Sequence, residues 1–210
     1  MGGYNIAQLF EIAFGIKSIG KYYVDKVGEK PTDVNFNYAG VEVVKGLEYA
    51  SKMSSLGTPM IVPIKFKGKG YSVFNDFGEI VTDTFEDFEL PATTLVNLRR
   101  AKTISKTKAS AAKGTIKELF GFDDWRIDIR GFCLADSSHA VAKTARAQKI
   151  KLNEFDAIVD SIEVVSELFT DFDISHLVIE ELQFHQLKGK PGVIPFYLKC
   201  SSDEPYDLFL

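Results

Sequence analysis

The chain has 210 residues, 45% of them hydrophobic, 12% aromatic and 26% charged. A chain of this size and composition buries roughly 70% of its unfolded surface without staples, which excludes disordered and disulfide-scaffold classes. One domain, or a domain with an arm, fits the length, and the net charge of −4 at pH 7 is an average over sharply segregated blocks.

Ile6, Leu9, Phe10, Ala13 and Phe14 recur at three- and four-residue spacing, with Asn5 as cap and Gly15 as stop, and predict a first helix. Residues 17–55 are less patterned: a turn at Gly28–Pro31, an extended stretch at Val41–Val44 and a turn of helix at Leu47–Met53. From Met60 the period becomes two. Met60–Phe66 and Tyr71–Phe74, joined by Gly68-Lys69-Gly70, read as a hairpin. Strands are expected at Glu79–Asp83 and Thr93–Leu98.

Leu98–Lys113 then carries Arg99, Arg100, Lys102, Lys106, Lys108 and Lys113 and no acid. Having little to bury, Arg99–Lys113 reads as an exposed basic arm or the tip of a long hairpin closed near Gly114. Thr115–Phe120 and Trp125–Leu134 read as separate strands around an Asp123-Asp124 turn. In the second, Trp125, Ile127, Ile129 and Cys133 alternate with Arg126, Asp128 and Arg130, so the Trp125 side should be buried.

A substantial helix is expected where Asn153 caps a stripe of Leu152, Phe155, Ile158, Val159 and Ile162. Asp156, Asp160 and Glu163 would point outward, and Ser137–Lys151 would extend it or form a loop. After a short segment near Leu168, Leu177–Phe184 and Val193–Cys200 read as paired strands around the Gly189–Gly192 turn. Tyr206–Leu210 closes the chain. The expected fold is α+β: a β-rich sheet or barrel with an N-terminal helix and one substantial helix between strands. Residues 1–55 would form a helix with a variable segment and residues 56–210 the β-rich domain.

Tests for chemistry return little. Gly15–Tyr22 nearly matches a phosphate loop, but Tyr22 replaces the magnesium-holding hydroxyl and a helix precedes the loop where a strand is needed. Cys133 and Cys200 sit in alternating apolar segments and read as buried thiols of a reducing compartment. With scattered His139, His176 and His185 they offer no zinc spacing. Asp171 and Asp173 lack the rest of a calcium loop. No nucleophile motif is present, so a non-enzymatic protein without cofactor is expected. No apolar run reaches the ~18–20 residues of a membrane span, and an intracellular, soluble chain is expected. Gly2 lacks the hydroxyl at position six that myristoylation wants.

Charge suggests assembly instead. Leu152–Leu187 holds nine acids, among them Glu154, Asp156, Asp160 and Glu163, and no Lys or Arg. Asp76, Glu79, Asp83, Glu86, Asp87 and Glu89 form a second acidic block just before the basic one. A basic side and an acidic side on one chain suit contact between identical neighbours. The arm lacks aromatics for stacking, which limits nucleic acid to transient phosphate contact.

The segment Gly114-Thr-Ile-Lys-Glu-Leu-Phe-Gly-Phe-Asp-Asp-Trp-Arg-Ile-Asp-Ile-Arg-Gly131 resembles a family known only as a domain of unknown function. That family is encoded among tail genes of phages, prophages and phage-like particles of Bacteroides-type bacteria. Leu56–Pro59, Leu90–Thr94, Arg100–Lys102, Ile174–Glu180, Pro195-Phe196 and Ser202–Pro205 share the resemblance. It implies a tail-tube-like structural protein of the virion tail, assembled in the host cytoplasm, as tube, ring adaptor or baseplate hub. Homo-oligomeric rings and other tail proteins would be its partners. A cell-wall-binding tail module and a DNA-contacting head–tail junction protein are the alternatives.

Overall fold

The computed structural model describes residues 6–16, 22–25, 42–45, 60–75, 77–108, 114–137, 139–187 and 192–203. Helix α1 (Ile6–Phe14) leads into strands β1 (Tyr22–Asp25), β2 (Glu42–Lys45), β3 (Met60–Ile61), β4 (Lys65–Phe66), β5 (Gly70–Phe74), β6 (Ile80–Thr84) and β7 (Phe88–Glu89). The long strands β8 (Leu95–Thr107) and β9 (Ile116–Cys133) follow, then α2 (Ala145–Asp156), β10 (Ile162–Val165), α3 (Glu167–Thr170), β11 (His176–Phe184) and β12 (Ile194–Ser202). The chain is a β-rich α+β protein, as its patterning predicts. Asn5, Leu47–Met53 and Tyr206–Leu210 lie outside the described residues.

One sheet has the order β2-β1-β3-β8-β9-β12-β11-β10-β4-β7, and β5 and β6 form a separate pair. From β8 to β7 every pairing is antiparallel, and these seven strands curl into a half-barrel. Its centre is β9 against β12, where Cys200, Leu198 and Phe196 lie opposite Ile127, Ile129 and Gly131. The Phe196 ring lies across Gly131, where a Cβ would sit 2.8 Å from it; only glycine leaves that ring its place.

Helix α2 closes the concave side with buried Leu152 and Phe155. The Phe155 ring lies 5.2 Å from that of Phe66, 5.3 Å from Phe85 and 5.9 Å from Phe88, so one side chain ties the helix to β4, β7 and the turn before β7. Tyr71 does the same for polar groups. Its buried ring carries a hydroxyl that donates to the Lys67 carbonyl at 2.8 Å and accepts from the Glu163 N–H at 3.2 Å. A second core lies on the other face of β9, where α1 places Ile6, Leu9 and Phe10 against Leu95, Phe132, Leu134 and Val193. Gly15, at φ +67°, ends α1 as expected, its N–H bonding the Glu11 carbonyl at 3.0 Å.

Four expectations are corrected. Met60–Phe66 and Tyr71–Phe74 are not a hairpin: β4 pairs with β7 and β10, and β5 pairs with β6. The local reason is Asn75, whose side-chain oxygen accepts from the N–H groups of Phe77 and Glu79 and folds the chain back, with Gly78 at φ +78°. Asp123-Asp124 is no turn: it is a bulge inside the continuous strand β9, two residues set against Ala101.

The main helix, too, starts earlier and ends earlier than its apolar stripe suggests. Thr144 caps it, accepting from the Ala147 N–H at 3.1 Å. Past its end, Ile158 bridges Val73 of β5, and Ile162, Glu163 and Val164 belong to strand β10. Finally, Trp125 is only half-buried, against the Phe172 ring at 5.0 Å.

Two stability results are expected. Ile127→Ala, at a fully buried site, should cost about 2–5 kcal/mol in denaturant titration, and Trp125→Ala clearly less. The buried Gln148 accepts from the Leu134 N–H at 2.9 Å and donates to the Ala142 carbonyl at 3.2 Å. Gln148→Leu strands both partners and should cost about 2–4 kcal/mol by the same measurement.

Candidate functional site

Strands β8 and β9 pair from Leu95↔Arg130 to Thr107↔Ile116, but the rest of the sheet accompanies them only part of the way. β12 stops pairing with β9 at Arg126, and β3 meets β8 only at Leu95. Beyond those points the two strands continue as a protruding hairpin. The basic stretch is thus the first strand of a long hairpin and not a free arm.

Period two fixes what the hairpin displays. Val96 and Leu98 pack on the core beside Ile129 and Ile127. Continuing outward on the same face come Arg100 opposite Trp125, Lys102 opposite Phe122, Ile104 opposite Leu119 and Lys106 opposite Lys117. The inner face of the half-barrel therefore continues along the hairpin, where none of the described residues covers it. Phe122 is 58% exposed, Leu119 56% and Ile104 41%. Phe120, the extra residue of a second irregularity between Thr103 and Ile104, is also exposed.

The six predicted basic residues fall into three groups. Arg99 and Arg100 are held by their own chain: Arg99 reaches Asp128 at 3.5 Å, and Arg100 Nε donates to the Asp123 carbonyl at 2.9 Å. Arg100 also lies 5.0 Å from the Phe122 ring centre, with Lys102 on the same ring at 5.3 Å. Lys102, Lys106 and Lys108 are exposed, and no ion pair engages them among the described residues. Lys113 lies outside those residues.

The four predicted acidic residues are dispersed. Glu154 sits on α2, paired with Lys151 at 2.7 Å. Asp156 is at the helix end, where burial pushes its carboxyl above the ordinary range. Asp160 follows the helix, and Glu163 lies on β10, paired with Lys69 at 3.5 Å.

The other acidic block has its own hairpin, which the sequence pattern did not reveal. On the outward face of β5–β6, Phe74 lies opposite Ile80, and Phe77 stands at the turn, 89% exposed. Glu79 and Asp83 are exposed too, on the other face of the pair, where Asp83 lies opposite Tyr71. The available signal was Phe77 itself, a large apolar side chain next to a turn glycine.

The cysteines are packing groups. Burial pushes the Cys133 thiol up to about 12 and raises Cys200 as well. His139 is a positioning group for the loop before α2: Nδ1 faces the N–H groups of Val141 and Ala142, and Nε2 lies 2.8 Å from the Glu89 carbonyl. Among the described residues no cluster of three or more His, Cys, Asp or Glu is arranged to hold a metal. No helix among them is long and apolar enough to cross a membrane.

A β-rich domain with a charged, half-apolar hairpin projecting from its sheet is thus the class of protein defined here. The model of the family described as a domain of unknown function (DUF6046) matches residues 89–210, and the chain belongs to that family. Among solved structures it is similar to a chain from the "Tail of empty GTA particle computed with helical refinement, C6 symmetry", with 13% identity and a TM-score of 0.30 over 64% of this chain and 91% of that one. No curated protein matches.

Because both thiols are neutral when folded and ionise near their usual 9.0 when unfolded, the unfolded state binds fewer protons as pH rises. Their contribution is complete below pH 9 and declines as pH climbs toward 12. Denaturant midpoints should therefore fall across that window, and the slope should shrink in the Cys133→Ala/Cys200→Ala variant.

Proposed function

We propose that the chain is a non-enzymatic structural subunit of a phage tail or tail-like particle, assembling into rings with copies of itself and contacting other tail proteins. The observation that carries this reading is the extension of the core face along β8–β9, which none of the described residues covers. An apolar stripe continuous with a protein's own core, flanked by lysines that no ion pair engages among the described residues, has the character of an assembly surface. The tail setting comes from the sequence resemblance of Gly114–Gly131 and its companion segments, with tube, ring adaptor and baseplate hub as the positions it implies. Assembly would take place in the host cytoplasm before the particle is released.

Perturbed titrating groups support a structural role. The raised thiols and the raised hydroxyls of Tyr71 and Tyr197 each follow first from burial, and each is accounted for by packing. Any DNA passing such a particle would meet Lys102, Lys106 and Lys108 as transient phosphate contacts.

Immunogold labelling of particles from a bacterium that makes the protein should decorate the tail. Label confined to the cell envelope, or a chain missing from purified particles, would overturn the proposal. Retention on peptidoglycan would favour the wall-binding alternative, and salt-dependent retention of DNA the junction alternative.

A further inference from the structure

Arg99–Lys113 has no aromatic residue of its own, but pairing with β9 gives it rings. On the inner face of the hairpin Arg100 stands opposite Trp125 and, one row further out, Lys102 stands opposite Phe122. The Arg100 guanidinium lies 5.5 Å from the Trp125 ring centre and 5.0 Å from that of Phe122, and Lys102 Nζ lies 5.3 Å from the latter. Nearer the tip, Lys106 and Lys117 face each other on the same side. The nearby carboxylates belong to the other face: Glu118 lies opposite Ser105, Asp123 and Asp124 stand against Ala101, and Asp123 pairs at 3.7 Å with Arg126, itself opposite Arg99. Cations and rings thus share one face, and no carboxylate of the hairpin shares it with them.

We propose that these rows bind single-stranded nucleic acid, its phosphates along β8 and its bases against the rings of β9. Each nucleotide carries one charge and one flat apolar group, and each of the two adjacent rows sets one cation beside one ring. An acidic peptide strand brings a single side chain to a given face at each step, so it would meet the cation or the ring but not both. The rows repeat at about 6.6 Å, two residues of a strand, whereas stacked nucleotides advance about 3.4 Å. A strand that follows the rows is therefore stretched, its bases parted from one another and free to stack on Phe122, which is 58% exposed, and beside half-buried Trp125. A duplex keeps its base faces inside and meets only the cations.

This inference goes beyond the tail reading and does not rest on it. A neighbouring subunit and a nucleic-acid strand compete for the one face, so the site belongs to the unassembled chain.

Anisotropy of a fluorescein-labelled oligothymidylate, titrated with the full chain over a range of salt concentrations, should show binding, and a duplex of the same length should bind about tenfold more weakly or worse. Phe122→Ala should weaken strand binding about tenfold and leave the duplex unaffected, while Phe122→Tyr should bind as the parent does. Lys102→Ala/Lys106→Ala should reduce the slope of log affinity against log salt by about 1.4. All three side chains are exposed, so the denaturation midpoint should not move. Emission from Trp125, the only tryptophan, should be quenched as unlabelled strand is added.

Absence of strand binding at low salt, a duplex held as tightly as the strand, unchanged affinity in Phe122→Ala or unchanged Trp125 emission would each overturn the proposal. Displacement of the strand by polyglutamate as readily as by unlabelled strand would overturn it too, and would assign the face to an acidic protein. Strand binding by a chain that never labels tails removes the tail reading alone, and labelled tails without strand binding remove this one alone.

Discussion

A strand as long as β9 cannot be buried along its whole length in a domain of this size. Its 18 residues extend about 60 Å at ~3.3 Å per residue, whereas a compact chain of this length is roughly 45 Å across. Something must therefore project, and the sequence decides which end. From Ile127 to Leu134 every residue but half-buried Arg130 is buried, with α2 over one face, α1 over the other and β12 paired along one edge. From Ile116 to Arg126 none is. The buried half acts as the anchor of a lever, holding the exposed half in register through continuous pairing with β8.

The projecting half is shaped by its irregularities. Ala101 faces two residues, Asp123 and Asp124, and a further shift follows at Phe120. Bulges raise the local twist and turn side chains to new directions. Here they let the guanidinium of Arg100 lie near both Phe122 and Trp125, at 5.0 and 5.5 Å. Contacts of that kind contribute ~0.5–1 kcal/mol at exposed sites. That is too little to hold the rings down against a better partner, and enough to orient them while none is present.

Much of this architecture was legible because it is local. The spacing of Ile6 to Phe14 and the stop at Gly15 define α1, and simple alternation defines β11, β12 and the inner half of β9. What escaped depends on partners distant in sequence or on single polar groups. β4 is two residues long and exists because β7 and β10 flank it. The β5–β6 turn rests on one side-chain oxygen, that of Asn75. Helix α2 buries Gln148, a residue that a search for apolar periodicity discards. The site was half visible: charge revealed the basic strand, but Leu119 and Phe122 belong to a face whose other members are core, and alternation alone cannot say where the cover ends.

The lysines also solve a problem that the lever creates. Past the reach of β3 and β12 both edges of the hairpin are open among the described residues, and open edges of apolar strands invite pairing with any similar edge. The nearest similar edge in a concentrated pool of subunits is the same hairpin on another copy. Lys102, Lys106, Lys108 and Lys117 set like charges face to face in that encounter and oppose it. The same charges draw an acidic surface from a distance set by the screening length, about 8 Å at physiological salt, and leave the apolar residues to supply the contact energy. One set of side chains thus discourages the symmetric pairing of two such hairpins and leaves their apolar residues to a partner of opposite charge.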